Sequence, residues 1–301
     1  MAAGKNWFIA RCEYAAALVL LTVLRRAPLG LAESVANAAA KVLGLAVPKL
    51  RRVARANLSF AFPALPAHER EAIINGVFRS IARLLVTFAR LPDLTHANIG
   101  DWIEYEGLDH YRAAKQAGRG VLVATAHLGN WELSAFAHAL MTEPMNVMVR
   151  PLDNEHIDQL VETRRTLSGN RLIYKYDGAR TVLRALRANE AVGILVDQNT
   201  SLAEGVFVTF FGKAACASPV FVKFAYHSGA PIVPGFAIWD EARGRYILRF
   251  YPPLELSGDP AADTQRLHTA IENVIRAYPD QWLWIHRRWK TRPPGEPPLY
   301  S

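Results

Sequence analysis

Three observations in the 301-residue sequence predict an α/β fold, with a largely parallel central sheet flanked by helices and an N-terminal helical arm. From residue 120 onward, short apolar runs bounded by turn residues alternate with segments of helical period, the pattern of βαβ units. No internal repeat or low-complexity linker divides the chain. The charge is also uneven: residues 1–60 carry nine basic side chains (Lys5, Arg11, Arg25, Arg26, Lys41, Lys49, Arg51, Arg52, Arg55) and two acidic ones (Glu13, Glu33), +7 of the net +8. The expected division is an arm over 1–60 and one α/β domain over 61–301.

Within the arm, residues 14–24 (YAAALVLLTVL) form an uncharged apolar run with basic flanks. It is shorter than the roughly 20 residues a bilayer span needs. Extending it back to Trp7 takes in Arg11 and Glu13. A second alanine-rich stretch, 29–47, is interrupted by Glu33, Asn37 and Lys41. Two amphipathic helices joined near Pro28 and lying on a membrane surface fit this pattern, and so do two core helices of a bundle. A signal peptide does not fit, because no A-x-A site follows the apolar run promptly.

After the arm, Ile73, Val77, Ile81, Leu84, Leu85 and Phe88 recur at helical spacing, and Pro92 stops that helix. Strands are expected at 121–124, 145–149, 171–174, 192–196, 231–239 and 245–250. Helices are expected from 130 or 131 to 140 and over 154–167, 178–189, 219–228 and 263–278, with a long loop before residue 219. Composition bounds the class. With 51% hydrophobic and 21% charged residues the chain is neither disordered nor a polytopic membrane protein, and two cysteines give neither a disulfide framework nor a zinc motif.

The first expected strand runs into Thr125-Ala126-His127-Leu128-Gly129-Asn130-Trp131-Glu132. Sites in open α/β sheets form beyond the carboxyl ends of strands. A glycine turn at 129 can fold Glu132 back onto His127. A carboxylate on Nδ1 would fix the imidazole tautomer and leave Nε2 as a base. The competing reading is a histidine satisfied by a helix N-terminus and a glutamate interacting with the helix dipole. With no Ser or Cys nucleophile nearby, a substrate hydroxyl is the group to be deprotonated.

This segment, His127-x-x-x-x-Glu132 within AHLGNWE, resembles the HxxxxD/E motif of the lysophospholipid acyltransferase superfamily, in the branch that acylates lipid A precursors. VMVRPLDN (147–154), ILVDQNTSLAEGVFVTFFGKAACAS (194–218), APIVPGF (230–236) and QWLWIHRRWK (281–290) resemble further blocks of that branch in the same order, covering nearly the whole chain. The acid is Glu132 where the superfamily also uses Asp, and Thr209 stands where the family pattern has Pro before Phe-Phe-Gly. The resemblance implies a membrane-associated O-acyltransferase on the cytoplasmic face of a bacterial inner membrane. Its expected donor is an acyl thioester, of acyl carrier protein or coenzyme A, and its expected acceptor a glycolipid hydroxyl. No cofactor and no metal are implied.

It further implies His127 as general base oriented by Glu132, with Asn130 or the backbone N–H groups of 128–131 stabilising the oxyanion. Arg150 would clamp a phosphate. Asp197 and Gln198 would bind acceptor hydroxyls or Arg150, or else cap the long loop. Ser218 is a substrate contact or a helix cap. Phe207, Phe210 and Phe211 are expected on a loop that lines an acyl groove or else packs as core, and Phe211 and Gly212 are expected as substrate contacts. Trp282, Trp284 and Trp289, set among basic residues, are expected to face anionic lipid. Nucleic acid uses similar residue types, but no nucleic-acid motif is present. The rivals are acylation of another glycolipid or amino-lipid such as a phosphatidylinositol mannoside, thioester hydrolysis, and a non-catalytic membrane module.

Overall fold

The computed structural model describes residues 7–174 and 178–300, so Lys5 lies outside the described residues. Four helices come first: α1 (Trp7–Arg26), α2 (Leu29–Ala46), α3 (Pro48–Ala61) and α4 (Ala67–Arg90). Pro28 and Pro48 punctuate them, as residues whose missing N–H and fixed φ favour helix starts. The first helix does run through Arg11 and Glu13. On α2, Ala32, Ala36, Ala40 and Gly44 recur every fourth residue and are buried, and a Cβ on Gly44 would lie 3.0 Å from the Phe78 ring of α4. That stripe lets α2 lie close against α4.

Beyond α4 the chain alternates: β1 (Ile103–Glu106), α5 (Leu108–Gln116), β2 (Val121–Thr125), α6 (Trp131–Met141), β3 (Asn146–Val149), α7 (Glu155–Thr166), β4 (Arg171–Tyr174), α8 (Gly178–Arg187) and β5 (Ala191–Leu195). A hairpin, β6 (Val206–Phe210) and β7 (Lys213–Ala217), precedes α9 (Val220–Ser228), β8 (Ile232–Asp240), β9 (Arg245–Phe250) and α10 (Pro260–Ala277). The sheet order is β1-β9-β8-β2-β5-β3-β4, parallel throughout except where β8 meets β9. β2 sits in the middle, and its first four residues are buried because helices cover both faces. The expected fold class is the observed one.

Three expectations about the C-terminal third are corrected. The long loop contains the β6–β7 hairpin, and Phe211-Gly212 is its two-residue turn, with φ of 52° and 71°. Positive φ at both positions is the type I′ geometry that matches the twist of paired strands. Phe210 and Phe211 are buried, and Phe211 packs on Phe62, Phe210 and Trp284, so the two rings belong to the core. Thr209 also explains its departure from the family pattern. Its N–H donates to Gln265 Oε1 at 2.6 Å, a bond proline could not make.

Next, Trp282, Trp284 and Trp289 are 1%, 0% and 0% exposed, a core cluster rather than a lipid-facing surface. Their large apolar area outweighs the influence of basic neighbours, and Arg288 is buried with them, its guanidinium over the Phe210 ring. Burial pulls the Arg288 pKa down to about 10. Finally, Ser218 Oγ accepts only from the Val220 N–H, at 3.4 Å, and Pro219 is the residue that opens α9.

Asn57 ties the helical arm to this C-terminal segment. Fully buried on α3, it donates to the carbonyls of Trp284 and His286 at 2.6 and 2.7 Å and accepts from the Tyr300 hydroxyl at 2.6 Å. Replacing it with Leu removes three hydrogen bonds and leaves the Trp284 carbonyl and the Tyr300 O–H without a partner, so Asn57→Leu should cost about 3 kcal/mol. Urea unfolding of the two proteins would measure this, and equal midpoints would refute it.

Candidate active site

His127 and Asp197 each lie two residues beyond the end of a strand, β2 and β5, and those strands pair in parallel with Thr125 opposite Leu195. The register therefore sets the two side by side, and Val196 N–H continues the ladder to Thr125 O at 3.0 Å. Asp197 Oδ1 accepts from His127 Nδ1 at 2.9 Å, and Oδ2 accepts from the His127 backbone N–H at 3.0 Å and from the Trp282 indole at 2.8 Å. A carboxylate only accepts, so Nδ1 carries a proton, and Nε2 presents a lone pair whenever the ring is neutral. Burial alone would raise the Asp197 carboxyl, but the charge and hydrogen bond of His127, joined by Trp282, outweigh it and hold the group well below the ordinary carboxylate range. Asp197 is 2% exposed and the His127 side chain 19%, so the base is reachable and its partner is not.

This corrects the assignment of Glu132 as the group that orients His127. Glu132 stands in the first turn of α6, and both its oxygens accept from Arg165 of α7, at 2.6 and 2.8 Å. The α6 trajectory turns its carboxylate toward α7, and the pair lines a cleft instead of the imidazole. That cleft is open to the surface and walled by Trp131, Ala135, Phe136, Val147, Val149 and Leu195. The Trp131 ring lies 5.1 Å from the His127 ring, so the apolar cleft begins beside the base.

Asn130 is likewise reassigned. It is fully buried, its Oδ1 caps α6 by accepting from the Leu133 N–H at 3.0 Å, and its amide donates to Thr87 Oγ1. It cannot face a substrate. The turn that follows His127 is also committed: the N–H groups of Leu128, Gly129 and Asn130 donate to the carbonyls of Ala126, Gln281 and Ala237. Gly129 is required there, because at φ 62° an added Cβ would fall 1.9 Å from Ala237 O. The N–H groups of Trp131 and Glu132, the first two of α6, have no acceptor among the described residues.

Of the other expected residues, Gln198 is exposed and its amide nitrogen lies 3.3 Å from His127 Nε2 and 3.5 Å from Nδ1, alongside the ring. Arg150 follows the end of β3, one strand beyond β5, which puts it on the same sheet edge about 10 Å across from β2. Its side chain is 80% exposed and its carboxylate neighbour is Asp153 at 4.0 Å. Asp197 reaches neither Arg150 nor the surface. Phe211, Gly212 and Ser218 stand apart from the His127–Asp197 pair, in the hairpin turn and at the start of α9. Sequence reasoning missed Arg165 and Trp282 as site residues. It missed His286 too, which burial holds neutral, with its pKa pushed down to about 4, within electrostatic reach of Asp197 and His127. Among the described residues no group of three His, Cys, Asp or Glu side chains is placed to hold a metal ion.

Comparison with known proteins places this geometry in a family. A family model described as bacterial lipid A biosynthesis acyltransferase matches residues 5–291. A lipid A biosynthesis palmitoleoyltransferase of Escherichia coli is 32% identical over 268 residues, 86% of this chain and 86% of that protein. A lipid A biosynthesis acyltransferase of Haemophilus influenzae is 27% identical, covering 84% of this chain and 80% of its own length. A phosphatidylinositol mannoside acyltransferase of Mycolicibacterium smegmatis is 29% identical, with 78% of each chain covered.

The depressed Asp197 carboxyl links stability to acid. Its native pKa lies below the unfolded value of about 3.9, so its stabilisation is complete above that pH and is lost as pH falls toward the native value. Asp197→Asn should remove this component, leaving a shallower decline in unfolding free energy from pH 5 down to pH 2. Parallel declines in the two proteins, followed by urea unfolding, would refute the assignment.

Proposed function

Because the chain belongs to the bacterial lipid A biosynthesis acyltransferase family and is an acyltransferase, we propose that it transfers a fatty acyl chain from an acyl thioester to a hydroxyl of a lipid A precursor. The observation that carries the mechanism is the lone pair at His127 Nε2, fixed by the bond from Nδ1–H to Asp197. His127 takes the acceptor proton as the hydroxyl oxygen attacks the thioester carbonyl. The C–S bond then breaks, and the imidazolium returns the proton to the leaving thiolate. Asp197 stabilises that imidazolium without itself becoming protonated.

The uncommitted N–H groups of Trp131 and Glu132 support an oxyanion site at the N-terminus of α6, where the helix dipole favours negative charge. The apolar wall between α6 and β3–β5, which starts at Trp131, supports an acyl site along this open cleft. Arg165, held by Glu132 in that lining, orders the polar end of the cleft. Arg150 is free to clamp a phosphate of the acceptor. The donor is a thioester of acyl carrier protein or coenzyme A, and the net charge of +8 suits either an acidic carrier or the phosphates of the cofactor-like thiol.

Membrane association rests on the arm. The helices α1 and α2 are long and apolar enough to cross a membrane, yet each also packs on α4, and α1 is bonded at Ala10 O by Asn154 of the α7 cap. Trp7, Ile9, Val19, Val23, Leu31 and Leu45 point outward and are 44–76% exposed. Such an apolar face with arginines at its ends suits the cytoplasmic surface of an inner membrane. The arm then lies in the interface rather than spanning it.

Mass spectrometry of glycolipids from cells with and without the gene tests the reaction. A lipid A species should gain one acyl chain only with the intact protein. Both His127→Ala and Asp197→Asn should lower turnover by about 10³-fold or more. Glu132→Gln should act mainly through loss of the ordered Arg165, with a smaller effect on turnover than Asp197→Asn. An unchanged lipid A with a mass shift in another glycolipid would overturn the acceptor, and near-normal Asp197→Asn turnover would overturn the mechanism.

A second measurement addresses the arm. The triple variant Ile9→Ser/Val19→Ser/Val23→Ser should release the protein from anionic vesicles in a sedimentation assay while leaving its melting temperature within a few degrees. Full pelleting of that variant would remove the assignment of membrane binding to this face of α1.

A further inference from the structure

A second cleft, of about 200 Å³, is lined by residues of α2, α4 and the β8–β9 hairpin and shares none of its lining with the cleft beside His127. Its floor includes Thr87, the hydrogen-bond partner of Asn130, and Tyr246 of β9. Tyr246 is 1% exposed, and its hydroxyl makes no hydrogen bond among the described residues. Asn130 lies near enough to favour the ionised phenol, but an amide N–H can only donate to the phenol oxygen. The Tyr246 O–H hydrogen is therefore unspent among the described residues, on a side chain that lines an open cleft. A buried donor without an acceptor is uncommon in a finished fold, and a ligand atom is one explanation for it.

The charges around the cleft say which ligand. Glu33 of α2 and Asp101 ahead of β1 both line it, and neither carboxylate makes an ion pair or side-chain hydrogen bond among the described residues. Arg83 of α4 also lines it, stacked on Trp239 at 4.6 Å and donating one Nη2–H to Glu241, which leaves its other N–H groups available. The Trp102 ring adds an aromatic wall suited to a cation. Two carboxylates with an aromatic face call for an organic ammonium, whereas Arg83 and the Tyr246 O–H call for an anionic oxygen nearby. One group with both parts is phosphoethanolamine. At the rim stands Leu29, 45% exposed, on the same helix as the outward-facing Leu31, so acyl chains attached to that group have an apolar surface to follow.

We propose that this cleft binds the ammonium-and-phosphate head group of a zwitterionic membrane phospholipid. Glu33 and Asp101 take the ammonium, and Tyr246 and Arg83 take a phosphate oxygen. The site is separate from the acyl-transfer machinery, and its test needs no turnover.

Isothermal titration of the full chain with soluble short-chain lipids tests it, using dihexanoyl phosphatidylethanolamine, dihexanoyl phosphatidylglycerol and free glycerophosphoethanolamine. The ethanolamine lipid should bind at least about tenfold tighter than the glycerol lipid, because only it satisfies the two carboxylates. Retained binding of glycerophosphoethanolamine marks recognition of the head group alone, and its loss marks a requirement for the acyl chains. The double variant Glu33→Gln/Asp101→Asn should lose that preference. Tyr246→Phe should weaken the ethanolamine lipid about fivefold, the value of one hydrogen bond, and should not lower the melting temperature, since no internal bond is lost. Equal affinity for the two lipids, no binding of either, or a Tyr246→Phe protein that melts lower because its hydroxyl was satisfied internally would each overturn the assignment.

Discussion

The Asp197 carboxylate holds the site together. Sequestering an ionised group at 2% exposure costs several kcal/mol, and three hydrogen-bond donors from two parts of the chain offset it: the backbone and ring of His127, and the Trp282 indole. The strand ends of β2 and β5 and the segment following α10 are thus fixed relative to one another by one anion. The C-terminal segment continues along the turn, with Leu283 N–H on His127 O at 2.9 Å and Gly129 N–H on Gln281 O at 3.0 Å. The bonds that make the imidazole rigid consume the N–H groups of the turn. Any oxyanion donors must then come from the next free positions, at the start of α6. Rigidity and oxyanion stabilisation are assigned to successive stretches of the same eight residues.

Much of this was legible in the sequence, and the exceptions have physical reasons. The apolar run into His127, the glycine at 129 and the α6 start at Trp131 follow from local chemistry: a buried strand, a positive φ, and Asn130 as a helix cap. Local reading also favoured Glu132 as the partner of His127, because it is close in sequence. The true partner is 70 residues away, and only the adjacency of β2 and β5 reveals it. Strand order depends on how the crossovers pack, and no local pattern encodes it. The mark of Asp197 was a charged residue just past a buried strand, in the position on β5 that His127 holds on β2.

The aromatic residues near the C-terminus misled in a different way. Trp282, Trp284 and Trp289 sit among His286, Arg287, Arg288 and Lys290, which reads as a polar interface. Yet Trp282 and Trp284 are spaced by two, the period of an extended segment with one face buried. Their rings meet at 4.5 Å, and each indole N–H finds a buried acceptor, Asp197 for Trp282 and Pro279 O for Trp284. Likewise, Phe-Phe-Gly reads as a loop when only its apolar content is counted. Gly212 was the signal of a tight hairpin turn.

The arm and the cleft beside His127 are joined through one helix. Asn154, the N-cap of α7, accepts from the His156 and Ile157 N–H groups at its own helix start. Its amide reaches across to Ala10 O and Glu13 Oε2 of α1, at 2.8 and 3.0 Å. About three turns farther along α7, Arg165 grips Glu132 in the cleft lining. An α-helix of 12 residues is a stiff rod, so the outward-facing apolar helix α1 and the polar end of the cleft are positioned by the same element. Placing α1 on a bilayer would therefore also set the cleft at a fixed height above the lipid surface. If α1 lies on a bilayer and the cleft takes the acyl chain, as proposed above, a rigid link between them would bring the chain and an amphipathic acceptor to one depth without any moving part.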